Sequence, residues 1–131
     1  MDTTNTSFKL LHQTIRQLRG PDGCPWDRKQ TVNSLKKYLH EEFGEIIDAI
    51  DNGDHANLCE ELGDFLYLIM MLAEISNEEN RFTLDDVIVS IDEKLVRRHP
   101  HVFGEQTDLS ETELRTQWQQ IKKAEKRNKV S

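Results

Sequence analysis

The sequence predicts an all-α protein, an antiparallel helical bundle with a four-helix core and a further C-terminal helix. Apolar residues recur at intervals of three and four along most of the 131-residue chain, as on helices with one buried face. Short segments rich in Gly, Pro, Asp and Asn separate these stretches and predict turns. No segment shows the sustained alternation of a strand. A chain of this length fits one domain, which we place at residues 8–125, before a charged tail over residues 126–131.

The first helix follows a polar leader, which we expect to be flexible over residues 1–7. Its apolar face is marked by Phe8, Leu11, Ile15 and Leu18. The turn residues Gly20-Pro21-Asp22-Gly23 end the helix. A loop is predicted to continue from there through Cys24-Pro25-Trp26-Asp27.

The second helix is predicted from about Thr31 to Ile50. Its buried stripe is expected to comprise Leu35, Leu39, Phe43, Ile46 and Ile50. The residues Asp51-Asn52-Gly53-Asp54 form a turn, and the side chain of Asp54 can cap the helix that follows.

The third helix, from about His55 to Ser76, is apolar nearly all the way round. One side carries Leu58, Leu62, Phe65, Ile69 and Leu72, and much of the remainder is covered by Leu66, Leu68, Met70, Met71 and Ala73. A helix of this kind is buried on several sides. In a chain this short, that pattern indicates a subunit interface, and we expect a homodimer or a higher homo-oligomer.

Capping motifs mark the start of the last two helices. Thr83 is a favourable N-cap for the fourth helix. This helix should end near His99, because the residue before Pro100 avoids the helical region. Ser110 and Glu113 form a capping box at the start of the fifth helix.

The composition indicates which binding partners and which cellular compartment to expect. The chain has 17 Lys and Arg against 24 Asp and Glu, a formal net charge of −7, which argues against general nucleic-acid binding. Cys24 and Cys59 form no zinc or disulfide motif, which is typical of a reducing compartment. The polar N-terminus has no apolar signal core, and no apolar stretch approaches the length of a membrane span. We therefore expect a cytoplasmic protein that does not bind membranes.

Four acidic residues form two pairs, Glu42 with Glu45 on the second helix and Glu61 with Asp64 on the third. Residues three apart share a helical face, with Cβ atoms about 5–6 Å apart. The short turn makes the two helices antiparallel, so the pairs can face each other. Carboxylates converging without histidine or thiolate favour a hard cation, Mg²⁺ or alternatively Mn²⁺.

A solvated acidic face is the alternative explanation for these pairs. On the helical wheel, however, Glu42 lies between Leu35 and Ala49 at the edge of the buried stripe. Glu61 lies at a comparable edge of the third helix. Partly buried carboxylates are costly unless they are paired or bind a cation. Spacing alone leaves both interpretations open.

Three basic residues, Lys94, Arg97 and Arg98, lie near the end of the fourth helix. Cations there complement the helix dipole, which is a sufficient explanation for the outward-facing Arg97. Lys94 and Arg98 flank the apolar stripe and favour phosphate contact, because a guanidinium fork matches phosphate oxygens. Lys122 on the fifth helix is either a further phosphate contact or a solvated lysine.

The two tryptophans allow different roles. Trp26 in the Pro-rich loop either lines a nucleotide site or anchors the loop. Trp118 shares a stripe with Leu114 and Ile121, which favours a place in the core over a nucleobase platform.

Four segments in order carry a family resemblance: Gly23-Cys24-Pro25-Trp26-Asp27, Glu41-Glu42-Phe43-Gly44-Glu45, Glu61-Leu62-Gly63-Asp64 and Lys94-Leu95-Val96-Arg97-Arg98-His99-Pro100-His101-Val102-Phe103. With these motifs the chain resembles the MazG family of nucleoside triphosphate pyrophosphohydrolases from about Leu10 to Lys122. Many members carry two such domains in tandem, and this chain is expected to hold one.

The resemblance implies an all-α NTP pyrophosphatase fold, a tight dimer, and Mg²⁺-dependent hydrolysis of (deoxy)nucleoside triphosphates between the α and β phosphates. The products would be a nucleoside monophosphate and pyrophosphate, in a housecleaning role for the nucleotide pool. It places the metal on Glu42, Glu45, Glu61 and Asp64. It places phosphate contacts on Lys94, Arg97 and Arg98.

Within this reaction Glu41 is the candidate to orient or deprotonate the attacking water, although it lies further from the apolar stripe than Glu42. Two alternatives remain open. One is a narrower enzyme for dUTP, dCTP or phosphoribosyl-ATP. The other is a non-catalytic helical module that binds a nucleotide or a partner protein.

Overall fold

The computed structural model describes residues 3–105 and 108–130. Over these residues the chain forms helices and no strand, so the all-α prediction is confirmed. The helices are α1 (Thr4–Arg19), α2 (Pro25–Lys29), α3 (Lys36–Asp51), α4 (His55–Glu78), α5 (Leu84–Arg98), α6 (Pro100–Phe103) and α7 (Glu111–Val130). In the described ranges no helix is long and apolar enough to cross a membrane.

The chain divides into two compact units, Met1–Leu84 and Asp85–Ser131. In the first unit α4 packs against both α1 and α3. Its core is formed by Ile15, Leu35, Leu68, Met70, Met71, Ala73, Ile75 and Leu84. Apart from Leu84 at the start of α5, these residues come from the middle of α1, the approach to α3 and the C-terminal half of α4, so the core lies at one end of the α3–α4 pair.

The predicted stripe on α3 is only partly correct. Leu35 is fully buried, but Phe43 is 60% exposed and Ile50 is 55% exposed. On α4 the buried apolar residues lie from Leu68 onwards, whereas Leu62 is 52% exposed. The periodicity of apolar residues predicts burial along the whole length of each helix. The core that includes α1, however, covers only one end of α3 and α4.

The turn between α3 and α4 follows the prediction. Gly53 adopts a positive φ of 63°, a conformation that favours glycine. The Asp54 carboxylate accepts a hydrogen bond of 3.1 Å from the backbone N–H of Asn57. Asp54 is therefore the N-cap of α4, and the two helices are joined by a tight connection.

The segment predicted as a loop through Asp27 instead contains α2, which begins at Pro25. Proline is favourable at the first helical position because its missing N–H needs no partner there. The Arg19 guanidinium donates hydrogen bonds to the carbonyls of Asp27 and Gln30 at 2.6 and 3.0 Å. It also pairs with Glu78, so one arginine ties α2 to the end of α4.

Several helix boundaries differ from the prediction. Helix α3 begins at Lys36, because Thr31 and Ser34 cap each other's backbone N–H groups in the preceding turn. Helix α1 begins at Thr4, inside the predicted leader, and α7 continues to Val130 through the predicted tail. Residues 1, 2, 106, 107 and 131 lie outside the described residues.

In the second unit, α5 ends at Arg98, next to the predicted end near His99, and the short helix α6 was not predicted. The capping box of α7 is confirmed. The Ser110 N–H donates to a carboxylate oxygen of Glu113 at 3.3 Å, and the Glu113 N–H donates to the Ser110 hydroxyl at 3.2 Å. In the first unit, Cys24 and Cys59 are free thiols, as expected.

Candidate functional site

The α3–α4 pair brings three of the predicted acidic residues together. Glu42 and Glu45 lie on α3 and Glu61 lies on α4. One carboxylate oxygen from each residue lies within 4.8 Å of the other two. Glu61 is buried at 8% exposure, Glu42 is partly buried and Glu45 is exposed. The cluster therefore extends from the α3–α4 contact to the surface.

Two oxygens of this cluster are buried without a partner. Glu42 Oε1 and Glu61 Oε2 accept no hydrogen bond from any described residue. A buried carboxylate oxygen without a donor is costly, because the hydration it loses is not replaced. Oxygen-only ligands with unpartnered buried atoms fit a hard divalent cation.

The pKa of each of the three carboxyls is raised above its ordinary value. For Glu61 the largest cause of the raised pKa is hydrogen bonding to Glu42, which favours a proton on Glu61. For Glu45 the largest cause is the corresponding hydrogen bond to Glu61. Burial is the main cause of the raised pKa of Glu42. Packing thus disfavours three simultaneous negative charges unless a cation balances them.

Asp64 and Glu41 lie outside this compact group. Asp64 is exposed on α4, and its charge contributes to the raised pKa of Glu42, Glu45 and Glu61. Glu41 is also exposed, on α3 beside Glu42. The ligand role of Asp64 and the catalytic role of Glu41 remain predictions.

Two of the predicted phosphate-binding residues line a cavity of about 480 Å³ in the second unit. Lys94 and Arg98 from α5 line it together with Trp118 from α7. His101 also lines the cavity, and its Nδ1 is buried without a hydrogen-bond partner among the described residues. Arg115, which pairs with Glu111, lines it as well. The cavity thus combines three basic side chains, one carboxylate, an aromatic ring and an unpartnered polar atom.

Trp118 is 41% exposed, so the expectation of a core residue is wrong. Its ring borders the cavity, and the Lys122 Nζ lies 4.5 Å from the ring centroid. Lys122 is therefore in cation–π contact one turn further along α7. The apolar stripe in the sequence identified the correct face of α7, but Trp118 on that face is partly exposed to solvent.

Arg97 and Arg98 both pair with Glu125, which the sequence did not single out. Arg97 Nε lies 2.9 Å from Glu125 Oε2, and Arg98 Nη2 lies 2.9 Å from Glu125 Oε1. The two guanidinium groups lower the pKa of the Glu125 carboxyl to about 2. Its position seven residues after Trp118, on the same helical face, was the available signal.

Trp26 is held in place by its surroundings in the first unit. It is 37% exposed, and its ring packs edge-on against Tyr38 with 5.4 Å between centroids. The neighbouring Asp27 is buried and accepts a hydrogen bond from the Tyr67 hydroxyl. Burial and this hydrogen bond raise the pKa of Tyr67. These contacts support the anchoring role of the segment, and Trp26 remains partly exposed.

A sequence model described as the MazG nucleotide pyrophosphohydrolase domain matches residues 30–103. Helix α7, with Trp118 and Glu125, lies beyond that match.

Known proteins resemble the chain over most of its length. It is 48% identical over 124 residues to the nucleoside triphosphate pyrophosphohydrolase/pyrophosphatase MazG of Thermotoga maritima, covering 95% of this chain and 47% of that protein. It is 40% identical over 117 residues to a nucleoside triphosphate pyrophosphohydrolase of Escherichia coli, covering 88% of this chain and 44% of that protein. The uncharacterised protein YabN of Bacillus subtilis is 49% identical over 124 residues, covering 95% of this chain and 25% of that protein. The chain thus spans half or less of these relatives.

A solved structure agrees with the fold. The crystal structure of a MazG-related protein from Thermotoga maritima aligns with a TM-score of 0.72 at 33% sequence identity. The alignment covers 88% of this chain and 97% of that one.

Proposed function

The chain belongs to the MazG nucleotide pyrophosphohydrolase family, and from that premise we propose that it hydrolyses (deoxy)nucleoside triphosphates between the α and β phosphates. The products are a nucleoside monophosphate and pyrophosphate. The observation that carries the proposal is the convergence of Glu42, Glu45 and Glu61 around two unpartnered buried oxygens. Relatives named as nucleoside triphosphate pyrophosphohydrolases support the reaction class.

Mg²⁺, with Mn²⁺ as a substitute, is the cofactor we propose. Glu42, Glu45 and Glu61 would hold it, with Asp64 as the fourth carboxylate. When bound, a divalent cation supplies charge neutralisation of the phosphates and activation of water. Its charge would also offset the electrostatic cost that raises the pKa values of this cluster.

We assign the other roles in the reaction to side chains that are not proposed metal ligands. Glu41 orients the attacking water or accepts its proton. Lys94 and Arg98 bind phosphate oxygens and stabilise charge on the departing pyrophosphate. Trp118, which is partly exposed, offers its ring to the nucleobase, since it lines the same cavity as Lys94 and Arg98. Roles for Lys122 and Arg97 are secondary, because Lys122 stacks on Trp118 and Arg97 pairs with Glu125.

A nucleotide panel tests this proposal. The protein is incubated with each common NTP and dNTP, dUTP and phosphoribosyl-ATP, with Mg²⁺ or with EDTA, and the products are identified. We expect monophosphate and pyrophosphate from several triphosphates, only with the metal, and loss of turnover in Glu45→Gln. Turnover of one nucleotide alone would indicate a narrower enzyme. Binding without Mg²⁺-dependent turnover of any nucleotide would indicate a non-catalytic module and overturn the proposal.

We further propose a homodimer, or a higher homo-oligomer, that works in the cytoplasm to clear unwanted nucleotides. Support for the assembly comes from apolar side chains left open on α3 and α4, among them Phe43, Ile47, Ile50, Leu62, Leu66 and Ile69. Large apolar side chains that remain exposed at helical spacing on two paired helices are typical of an interaction site. The free thiols of Cys24 and Cys59 are consistent with a reducing compartment.

A further inference from the structure

The carboxylate of Glu125 connects the two helices that border the cavity of the second unit. Arg98 donates to it from Nη2 at 2.9 Å and from Nε at 3.3 Å. Arg97 donates from Nε at 2.9 Å to the other oxygen. The side chains of Arg98 and Glu125 are only 20% and 17% exposed, so this pair is better shielded from water than an ordinary surface ion pair.

This contact constrains the cation at the cavity wall. A long arginine side chain has many rotamers, and binding a phosphate with a freely moving guanidinium loses that freedom. Two hydrogen bonds to one carboxylate hold the Arg98 guanidinium in one plane before any ligand arrives. Because Arg98 Nη1 makes no hydrogen bond among the described residues, it remains available as a donor.

The ion pair between Glu125 and the arginines of α5 also constrains the position of Trp118, the aromatic residue that lines the cavity. Trp118, Lys122 and Glu125 follow one another at helical spacing along one face of α7. An ion pair from Glu125 to the last residues of α5 therefore sets which turn of α7 lies beside α5. That register places Trp118 at the same cavity as Lys94 and Arg98.

We infer that Glu125 is a positioning residue for phosphate binding, which holds the Arg98 guanidinium at the cavity wall and keeps α7 in register against α5. The inference rests on the proposed function for the identity of the ligand as a triphosphate chain. Because Arg98 and Arg97 lower the pKa of Glu125 to about 2, the carboxylate is ionised near neutral pH.

The test compares wild type with Glu125→Gln, Glu125→Asp and a charge control, Glu105→Gln, in the full chain. Glu105 is exposed in the same unit and makes no ion pair among the described residues. We measure binding of inorganic tripolyphosphate by calorimetry, KM and kcat for a turned-over triphosphate, and the thermal midpoint. Each Glu125 variant is also made in an Arg98→Ala background.

We expect Glu125→Gln to weaken tripolyphosphate binding and to raise KM roughly tenfold, with a smaller change in kcat. Glu125→Asp, which keeps the charge, should lose less affinity and provides the comparison if Glu125→Gln does not fold. Glu105→Gln should match wild type. In the Arg98→Ala background, changing Glu125 should cost less affinity than it does in wild type, because the contact with Arg98 is already lost and only the contact with Arg97 remains.

Wild-type affinity in Glu125→Gln would overturn the inference, as would equal losses with and without Arg98. Tighter binding in Glu125→Gln would also overturn it, since the carboxylate would then compete with phosphate. The proposed function fails separately: a wild-type protein that binds tripolyphosphate but hydrolyses no nucleotide refutes the activity and leaves the role of Glu125 testable by binding. A wild-type protein that does not bind tripolyphosphate refutes the inference.

Discussion

Glu61 illustrates at the scale of one residue how a proposed metal ligand can oppose folding. It is nearly buried, and one of its oxygens has no partner among the described residues. Hydrogen bonding to Glu42 raises its pKa, so the folded protein disfavours its charged form. A residue selected only for stability at this position would be neutral.

Replacing Glu61 with Gln should therefore stabilise the metal-free protein and abolish its response to metal. The neutral amide removes a disfavoured charge but also removes a carboxylate that we propose as a metal ligand. We expect a higher thermal midpoint than wild type in EDTA, no upward shift with Mg²⁺, and at least about tenfold lower turnover. Differential scanning fluorimetry and a pyrophosphate-release assay provide the readouts. Glu60→Gln, an exposed neighbour, is the matched control. A wild-type metal shift in Glu61→Gln would remove Glu61 from the ligand set.

The pH dependence of stability follows from the same cluster. The pKa values of Glu42, Glu45 and Glu61 are raised in the folded protein above the ordinary value of 4.5. The folded state thus binds more protons than the unfolded state just above that pH, and the free energy of unfolding falls as pH rises through the window.

In EDTA we expect this cluster to make wild type less stable as pH is raised from about 4.5 towards neutrality. The decrease in stability with rising pH should be smaller in Glu61→Gln than in wild type. Mg²⁺ should also reduce this decrease near neutral pH. Thermal midpoints across a buffer series test this. An identical slope in wild type and Glu61→Gln would contradict the assignment of the effect to this cluster.

At the scale of the elements, the α3–α4 turn determines which carboxylates meet. The Asp54 cap begins α4 seven residues before Glu61, and Gly53 allows the chain to reverse without strain. The Ser110–Glu113 box begins α7 in the same way. These local motifs were predictable, because a cap depends on residues within one turn. The α2 helix was missed, although Pro25 at its first position is a favourable start.

Removal of the cap by Asp54→Ala should lower the free energy of unfolding by about 1 kcal/mol. The lost bond is the one that Asp54 accepts from the backbone N–H of Asn57. Urea titration followed by circular dichroism gives the value. Asp51→Ala provides the control within the same turn, because Asp51 is exposed and caps nothing among the described residues, so its effect should stay within about 0.5 kcal/mol. Equal effects from the two variants would show that the hydrogen bond contributes nothing.

At the scale of the whole molecule, each unit carries large apolar residues that its own core does not bury. In the first unit Phe43 and Leu62 are 60% and 52% exposed. In the second unit Ile91 and Leu95 on α5 are 46% and 48% exposed. The sequence pattern predicted burial for Phe43 and Leu62. A second copy that covers them would reconcile the pattern with the structure of one chain.

Phe43→Ser should therefore weaken self-association. Burying a phenylalanine contributes about 1.5–3 kcal/mol, so we expect at least a tenfold increase in the dimer dissociation constant. Light scattering coupled to size-exclusion chromatography over a concentration series measures it. Leu10→Ser removes an equally exposed apolar side chain from α1 and should leave the mass unchanged. A monomeric wild type at high concentration would refute the assembly.

By itself the sequence determined the helical class, the turn and caps that delimit the main helices, and the two acidic pairs, because periodicity, capping and spacing are local properties. Only the tertiary structure decided that Glu42, Glu45 and Glu61 form the compact group while Asp64 lies outside it. It likewise decided that Glu125 binds Arg97 and Arg98 and that Trp118 borders a cavity. These outcomes depend on how turns distant in sequence are brought side by side, which the spacing along one helix does not specify.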